Sequence, residues 1–263
     1  MLAKLFLMFP VMFCLFACHR SPSRDQMIAE IIKSGVENPH FQGSSKELEQ
    51  LVSAVKGRLT EADTNQLRQR LNEIVSTNSL SLSYQTEVAT NFSDSEIKEV
   101  YDFSKSSISS KILSASRRAA TTEGAYELQI FQTELAKKPL SPERKTLLEE
   151  YMRVSGTAEL SSQLMLGSSE FFASLEPTPE KQKEAMKRIR TPSFQTMIQS
   201  GVLLGSYFSL RELSDSELKD YLIFLKSAGG SRLTKLNASQ ALRLNQELFR
   251  ALNESLSKAK PKR

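Results

Sequence analysis

Residues 93–112 read SDSEIKEVYDFSKSSISSKI, and residues 214–233 read SDSELKDYLIFLKSAGGSRL. The two stretches align without a gap at a constant spacing of 121 residues, and nine of the twenty positions are identical. Self-similarity of this kind indicates an internal repeat. We therefore expect two related helical units within one chain.

Each stretch begins with the pattern of a helix start. Ser93 and Ser214 are candidate N-caps, because Glu96 and Glu217 follow three positions later and would complete capping boxes. The dipeptides Lys105-Ser106 and Lys226-Ser227 are expected to close these helices, and a second helix is expected to follow each one. Gly229-Gly230 permits a tight corner in the second copy. The first copy has Ile108-Ser109 there, so its corner should be looser, or the helix should continue through it.

Helical spacing of apolar residues recurs along most of the chain, whereas sustained alternation of apolar and polar residues is absent. Prolines that disfavour helix in the preceding residue separate several of these segments. The sequence therefore predicts an all-α protein, a multi-helix bundle. The segments with helical spacing are residues 47–59, 60–75, 126–137, 142–154, 158–175, 180–189, 194–208 and 239–256.

The second copy also carries a family resemblance. Ser214-Asp215-Ser216-Glu217-Leu218, then Phe224, then Ser227-Ala228-Gly229-Gly230, is similar to the core motif of domain of unknown function 2059, found in exported bacterial proteins. Residues 147–156 resemble the opening helix of the same domain, so the likeness covers residues 143–257 well and 47–120 only weakly. The resemblance implies a helix, a small-residue corner and another helix. It implies no catalytic residues, since the family has no settled activity.

The first residues have the composition of a secretory signal. Lys4 precedes an uncharged apolar run from Leu5 to Ala17, and the run is too short for a spanning helix of roughly 20 residues. Leu15-Phe16-Ala17-Cys18 resembles the lipobox of bacterial lipoproteins, although Phe16 stands where the pattern prefers a smaller residue. The alternatives are an ordinary export signal and an uncleaved anchor.

The lipobox resemblance implies cleavage before Cys18 and lipid attached to its sulfur. It places the protein in the bacterial envelope, most simply on the outer membrane facing the periplasm. The predicted organisation is a signal peptide (1–17), a lipidated cysteine with a tether or short helix (18–43), two helical repeats (44–138 and 139–257) and a basic tail (258–263).

Charge is distributed evenly over the predicted body. The net charge of the whole chain is +5. The segment from residue 18 to 138 holds 15 Lys and Arg against 16 Asp and Glu, and the segment from 139 to 257 holds 15 against 14. The excess lies in the tail, at Lys258, Lys260, Lys262 and Arg263, which could contact anionic lipid or polymer weakly. A solvated terminal tail is the simpler interpretation, and we expect no nucleic-acid partner.

The sequence offers little for catalysis. Cys14 lies inside the signal, so no cysteine remains after residue 18 for a disulfide, a zinc site or a nucleophile. The only histidines are His19 and His40, and neither belongs to a recognisable triad or metal motif. We expect no catalytic, metal or cofactor site. Adjacent acids such as Glu149-Glu150 and the basic run 181–190 are interpreted as solvated helix surface.

Three functions remain open at the sequence level. The first is a non-catalytic helical lipoprotein that binds an envelope partner or stabilises an envelope assembly. The second is an envelope hydrolase that uses carboxylates alone, which would need paired acids in a deep pocket. The third is a carrier for an apolar molecule between the two units, which would need an enclosed cavity of several hundred Å³.

Overall fold

The computed structural model describes residues 22–36, 45–119 and 121–258. Every regular element in these ranges is a helix, which confirms the prediction of an all-α, multi-helix protein. The helices in chain order are α1 (Arg24–Val36), α2 (Ser45–Lys56), α3 (Glu61–Ile74), α4 (Thr77–Asn91), α5 (Asp94–Ser104), α6 (Ser107–Ala119), α7 (Thr122–Lys137), α8 (Pro142–Ser155), α9 (Thr157–Ser174), α10 (Pro179–Ile189), α11 (Pro192–Ser209), α12 (Asp215–Lys226) and α13 (Ala228–Lys258).

Hydroxyl side chains begin most of these helices. A serine or threonine just before the helix accepts a hydrogen bond from a backbone N–H of the first turn, which would otherwise lack a partner. Three helices then start with proline, which is suited to the first helical position. These prolines are Pro142, Pro179 and Pro192, and the last two lie at breaks that the sequence predicts.

The apolar residues collect in four clusters. The first joins α1, α4, α5 and the middle of α13, and the second joins α2, α3, the end of α9 and the far part of α13. The third joins α8, α11 and α12, with partly buried residues of α6 and α7 against it. The fourth is a small cluster between α9 and α10.

Helix α13 connects two of these clusters. It has 31 residues, so it is roughly 46 Å long at 1.5 Å per residue. Leu236 lies in the first cluster, whereas Ala251 and Leu252 are fully buried in the second. The last helix of the chain thus completes cores that are built largely from its first hundred residues.

Helix α1 is part of the body. Ile28, Ile31 and Ile32 are buried in the first cluster, and α1 packs along α4 and α5. The segment 18–43, expected to hold a tether or short helix, therefore contains a helix that begins at Arg24 and is anchored in the core.

Candidate functional site

The two Ser-Asp-Ser-Glu sequences form matching helix starts at α5 and α12. The Ser93 N–H donates to Glu96 Oε2 at 2.8 Å, and the Glu96 N–H donates to Ser93 Oγ at 3.4 Å. The corresponding distances at Ser214 and Glu217 are 2.9 Å and 3.2 Å. Both helices therefore begin with a reciprocal capping box.

Each capping glutamate also binds a cation from the other copy of the sequence pattern. Arg232 Nε lies 2.8 Å from Glu96 Oε1, and Lys111 Nζ lies 2.6 Å from Glu217 Oε1. Lys111 and Arg232 are themselves 121 residues apart. The two contacts are therefore equivalent: the capping glutamate of each copy binds the cation that the other copy supplies at the matching position.

These contacts lower the pKa of both glutamates. The pKa of Glu217 falls to about 2, chiefly because Lys111 donates a hydrogen bond to it. The pKa of Glu96 is lowered mainly by the Ser93 backbone N–H, with Arg232 adding to the effect. Both carboxylates are therefore charged at neutral pH and occupied by structural contacts.

An aromatic stack lies where the two copies meet. The rings of Phe103 and Phe224 are nearly parallel, with centroids 3.7 Å apart, and these two residues are again separated by 121 positions. The ring of Tyr221 is also nearly parallel to that of Phe103, with its centroid 5.5 Å away. Equivalent residues that contact each other are typical of a two-fold axis.

A second matched pair of contacts joins α1 to α5 and α8 to α12. Arg24 donates to Asp94 Oδ1 at 2.8 Å and to the Ala89 carbonyl at 3.0 Å. Arg144 donates to Asp215 Oδ1 at 2.8 Å and to the Leu210 carbonyl at 2.7 Å. Each arginine therefore links the start of one helix to the end of another in the same way.

The corners after α5 and α12 differ by one residue. Lys105 and Ser106 lie between α5 and α6, whereas Ser227 alone separates α12 from α13. Ser106 Oγ accepts from the Ser109 N–H, and Ser227 Oγ accepts from the Gly230 N–H. The first corner is thus the looser one, and its helix does not continue through.

Close packing explains the two glycines at the second corner. A Cβ on Gly229 would lie 2.7 Å from the Glu96 carbonyl oxygen, and one on Gly230 would lie 1.9 Å from the Phe224 carbonyl oxygen. The Gly229 N–H also donates to Glu99 Oε2 at 2.8 Å. Neither glycine has a positive φ, so what the corner requires of them is space.

A cavity of about 160 Å³ lies beside the aromatic stack. We call it the central cavity. It is bounded by residues of α1, α4, α5, α6, α12 and α13, among them the equivalent pairs Phe103 and Phe224, and Ile112 and Leu233. The site at which the two copies meet is therefore incompletely filled.

One wall of the central cavity carries a polar contact. Tyr84, 2% exposed, donates to Asn237 Oδ1 at 2.8 Å. Burial raises the pKa of Tyr84 and that of Tyr221 well above the ordinary value for tyrosine. Both phenols are consequently neutral, and the wall offers hydrogen bonds without charge.

Several glutamates elsewhere are engaged in ion pairs. Glu150 binds Lys226 at 2.6 Å and Arg153 at 3.5 Å, and Glu149 lies 3.7 Å from Lys145. Where the surroundings shift the pKa of a carboxylate among the described residues, the shift is downward, and a hydrogen bond is its largest cause. The glutamates with a lowered pKa are Glu49, Glu96, Glu150, Glu217 and Glu254.

The basic run 181–190 forms the exposed side of α10. Lys181, Lys183 and Lys187 are exposed, whereas Ala185 and Ile189 face the fourth cluster. The run is thus a solvated face of an amphipathic helix.

Several residues singled out from the sequence lie outside the described residues. They include Cys18 with the rest of the lipobox, and both histidines. Lys258 ends α13, and the remaining tail lies beyond it. Among the described residues, no helix is long and apolar enough to cross a bilayer. The same part of the chain holds no cluster of three or more His, Cys, Asp or Glu suited to a metal ion.

Sequence reasoning missed several residues at this site. It did not single out Lys111 and Arg232, although both lie in the aligned stretches at matching positions. Tyr84 and Asn237 lie outside those stretches, so the alignment gives no signal for them.

Comparison with protein-family models, curated proteins and solved structures finds no match to this chain. The resemblance to domain of unknown function 2059 therefore stays a prediction.

Proposed function

We propose that this protein is a lipid-anchored helical lipoprotein of the bacterial envelope that binds or supports a partner without catalysing a reaction. The anchor is the lipid expected on Cys18. Helix α1 begins only six residues later, at Arg24, so an extended tether would reach about 20 Å. The helical body would consequently be held close to the membrane surface.

The observation that carries the non-catalytic part is the state of the carboxylates. A general acid at neutral pH needs a raised pKa. Every described glutamate whose pKa is shifted has a lowered pKa, because caps and cations occupy the carboxylates. Such groups favour a structural role for the charges rather than acid–base chemistry.

We also propose that the body is an internal pseudodimer. The support is the set of contacts that recur 121 residues apart: the capping boxes, the Glu96–Arg232 and Glu217–Lys111 pairs, and the Phe103–Phe224 stack. An interface in which each copy gives and receives the same contact has the geometry of a symmetric dimer. The matched arginines in α1 and α8 would place α1 inside the first unit.

A carrier role has one observation in its favour, the central cavity. Its volume of about 160 Å³ is below the roughly 300–1,000 Å³ of typical ligand pockets. The cavity therefore supports binding of a small molecule rather than transport of a whole lipid.

The anchor is tested by labelling cells with radioactive palmitate and isolating the protein. The wild type should be labelled and recovered with membranes, whereas Cys18→Ser should remain an unlabelled, full-length precursor. Cys14→Ser is the matched control, because it removes the other cysteine of the same apolar segment and should be processed normally. Normal labelling of Cys18→Ser would contradict the proposed anchor.

A further inference from the structure

The central cavity lies at a defined place in the fold. Helices α5 and α12 meet through the Phe103–Phe224 stack, and α6 and α13 follow them. Residues of these four helices line the cavity together with residues of α1 and α4. It is thus bounded by both copies of the repeated sequence.

The lining determines the charge of any occupant. Among the described residues that bound the cavity, none is an acid, a lysine, an arginine or a histidine. A charged molecule would lose its hydration there without gaining a countercharge, which is strongly unfavourable. The cavity therefore selects an uncharged occupant.

The volume of the cavity limits the size of the occupant. An engineered apolar cavity of about 150 Å³ in another protein binds benzene. The central cavity has about the same volume, 160 Å³. It thus accommodates one six-membered ring with a small substituent, and its lining includes the aromatic side chains of Phe103, Tyr221 and Phe224.

The polar groups on the cavity wall determine which hydrogen bonds an occupant can form. The hydroxyls of Ser34, Ser104 and Thr234 already donate to helix carbonyls. Asn237 uses its carbonyl oxygen to accept from Tyr84, which leaves both N–H donors of its amide for another partner. A molecule with a hydrogen-bond acceptor on or beside its ring matches this wall.

The geometry points to the central cavity as a binding site for a small, uncharged, single-ring molecule that carries a hydrogen-bond acceptor. This inference names a ligand class for the binding role proposed above. It rests on that role only in requiring that the body binds, and it is independent of the lipid on Cys18.

The test uses the full chain with Cys18→Ser, so that failure of the anchor and failure of the site are distinguishable. Benzyl alcohol is the probe, and benzoate is its charged counterpart of similar size. Binding is followed by methyl NMR, with the signals of Ile112 and Leu233 reporting on the cavity. We expect saturable shifts with benzyl alcohol and at least about tenfold weaker binding of benzoate, a difference of roughly 1.4 kcal/mol or more.

A variant that fills the cavity provides the second arm. Ser109 bounds the cavity, whereas its neighbour Ser110 is exposed on the same helix. Ser109→Leu should weaken benzyl alcohol binding by about tenfold or more, whereas Ser110→Leu, the same chemical change, should leave it within about twofold. The proposal is overturned if benzyl alcohol shifts neither methyl signal, if benzoate binds equally well, or if the two leucine variants bind alike.

Discussion

Adding one methyl group at Gly229 should destabilise the protein, whereas the same addition at Gly201 should stabilise it. Both residues lie within helices, Gly229 in α13 and Gly201 in α11. Gly229 is buried against α5, but a Cβ on Gly201 would meet nothing within 4 Å. The pair therefore separates the effect of packing from the general preference of helices for alanine.

The magnitude at Gly229 follows from the distances. The new Cβ would lie 2.7 Å from the Glu96 carbonyl oxygen, whereas ordinary contacts begin at 3.4 Å, so α5 and α13 must separate. Overpacking of this kind costs about 1–3 kcal/mol. The Cβ would also lie 2.9 Å from Glu99 Oε2, and weakening the hydrogen bond of that carboxylate to the Gly229 N–H costs about 1.5–3 kcal/mol.

A gain in helix propensity of up to about 1 kcal/mol offsets part of this loss. We expect Gly229→Ala to lower the free energy of unfolding by about 2–4 kcal/mol. Gly201→Ala, without a steric penalty, should raise it by about 0.5–1 kcal/mol.

Urea denaturation followed by circular dichroism measures both changes on the purified chain. For a protein of this size the melting temperature should move by about 2–4 °C per kcal/mol, downward for Gly229→Ala and upward for Gly201→Ala. If the two variants shift stability in the same direction, Gly229 is not required for the close approach of α13 to α5.

Three further perturbations test other parts of the structure. Because Lys111 lowers the folded pKa of Glu217 to about 2 from the ordinary 4.5, the stability from this group is complete above about pH 4.5 and is lost as the pH falls toward 2. Glu217→Gln should therefore flatten the fall in stability over that window in urea titrations, and an unchanged slope would refute the pairing. Leu252→Ala should cost about 2–5 kcal/mol because its side chain is fully buried, whereas Ile223→Ala, at a site 68% exposed, should cost less than about 0.5 kcal/mol; equal losses in thermal melts would contradict the assigned core. Arg144→Ala should cost about 1–3 kcal/mol, because it removes a donor from the Asp215 carboxylate and one of the two donors to the Leu210 carbonyl. A melting temperature within 1 °C of the wild type would show this contact to be dispensable.

The helical class could be predicted because most helices bury one regular stripe. In α3, for example, Leu67 and Leu71 are four residues apart, and both are buried. Helix α4 was missed because its pattern is irregular. Leu80, Tyr84 and Val88 form its buried stripe, but Leu82 lies among them and is 67% exposed. Only tertiary packing determines which of these apolar residues is covered.

The continuity of α13 was not predicted. A second helix was expected after Lys226-Ser227 and helical spacing was seen again in 239–256, but the structure joins both in one helix that begins at Ala228 and includes Gly229-Gly230. Gly229 and Gly230 lower helix propensity, and their helical conformation depends on the close approach of α5 and of the Phe224 carbonyl. The cation partners of the two capping glutamates and the central cavity are likewise products of contacts between distant segments, which spacing within one segment does not reveal.

The position of α13 sets the order in which the cores can close during synthesis. A ribosome releases the chain from its amino terminus at about 5–20 residues per second. The apolar faces of α2 and α3 wait for Leu252, whose emergence follows that of Leu71 by 181 residues, or roughly 10–40 s at that rate. During this interval the first half of the chain exposes the surface that chaperones recognise. A nascent chain released before α13 would leave two cores open, and we expect quality-control proteases to remove it.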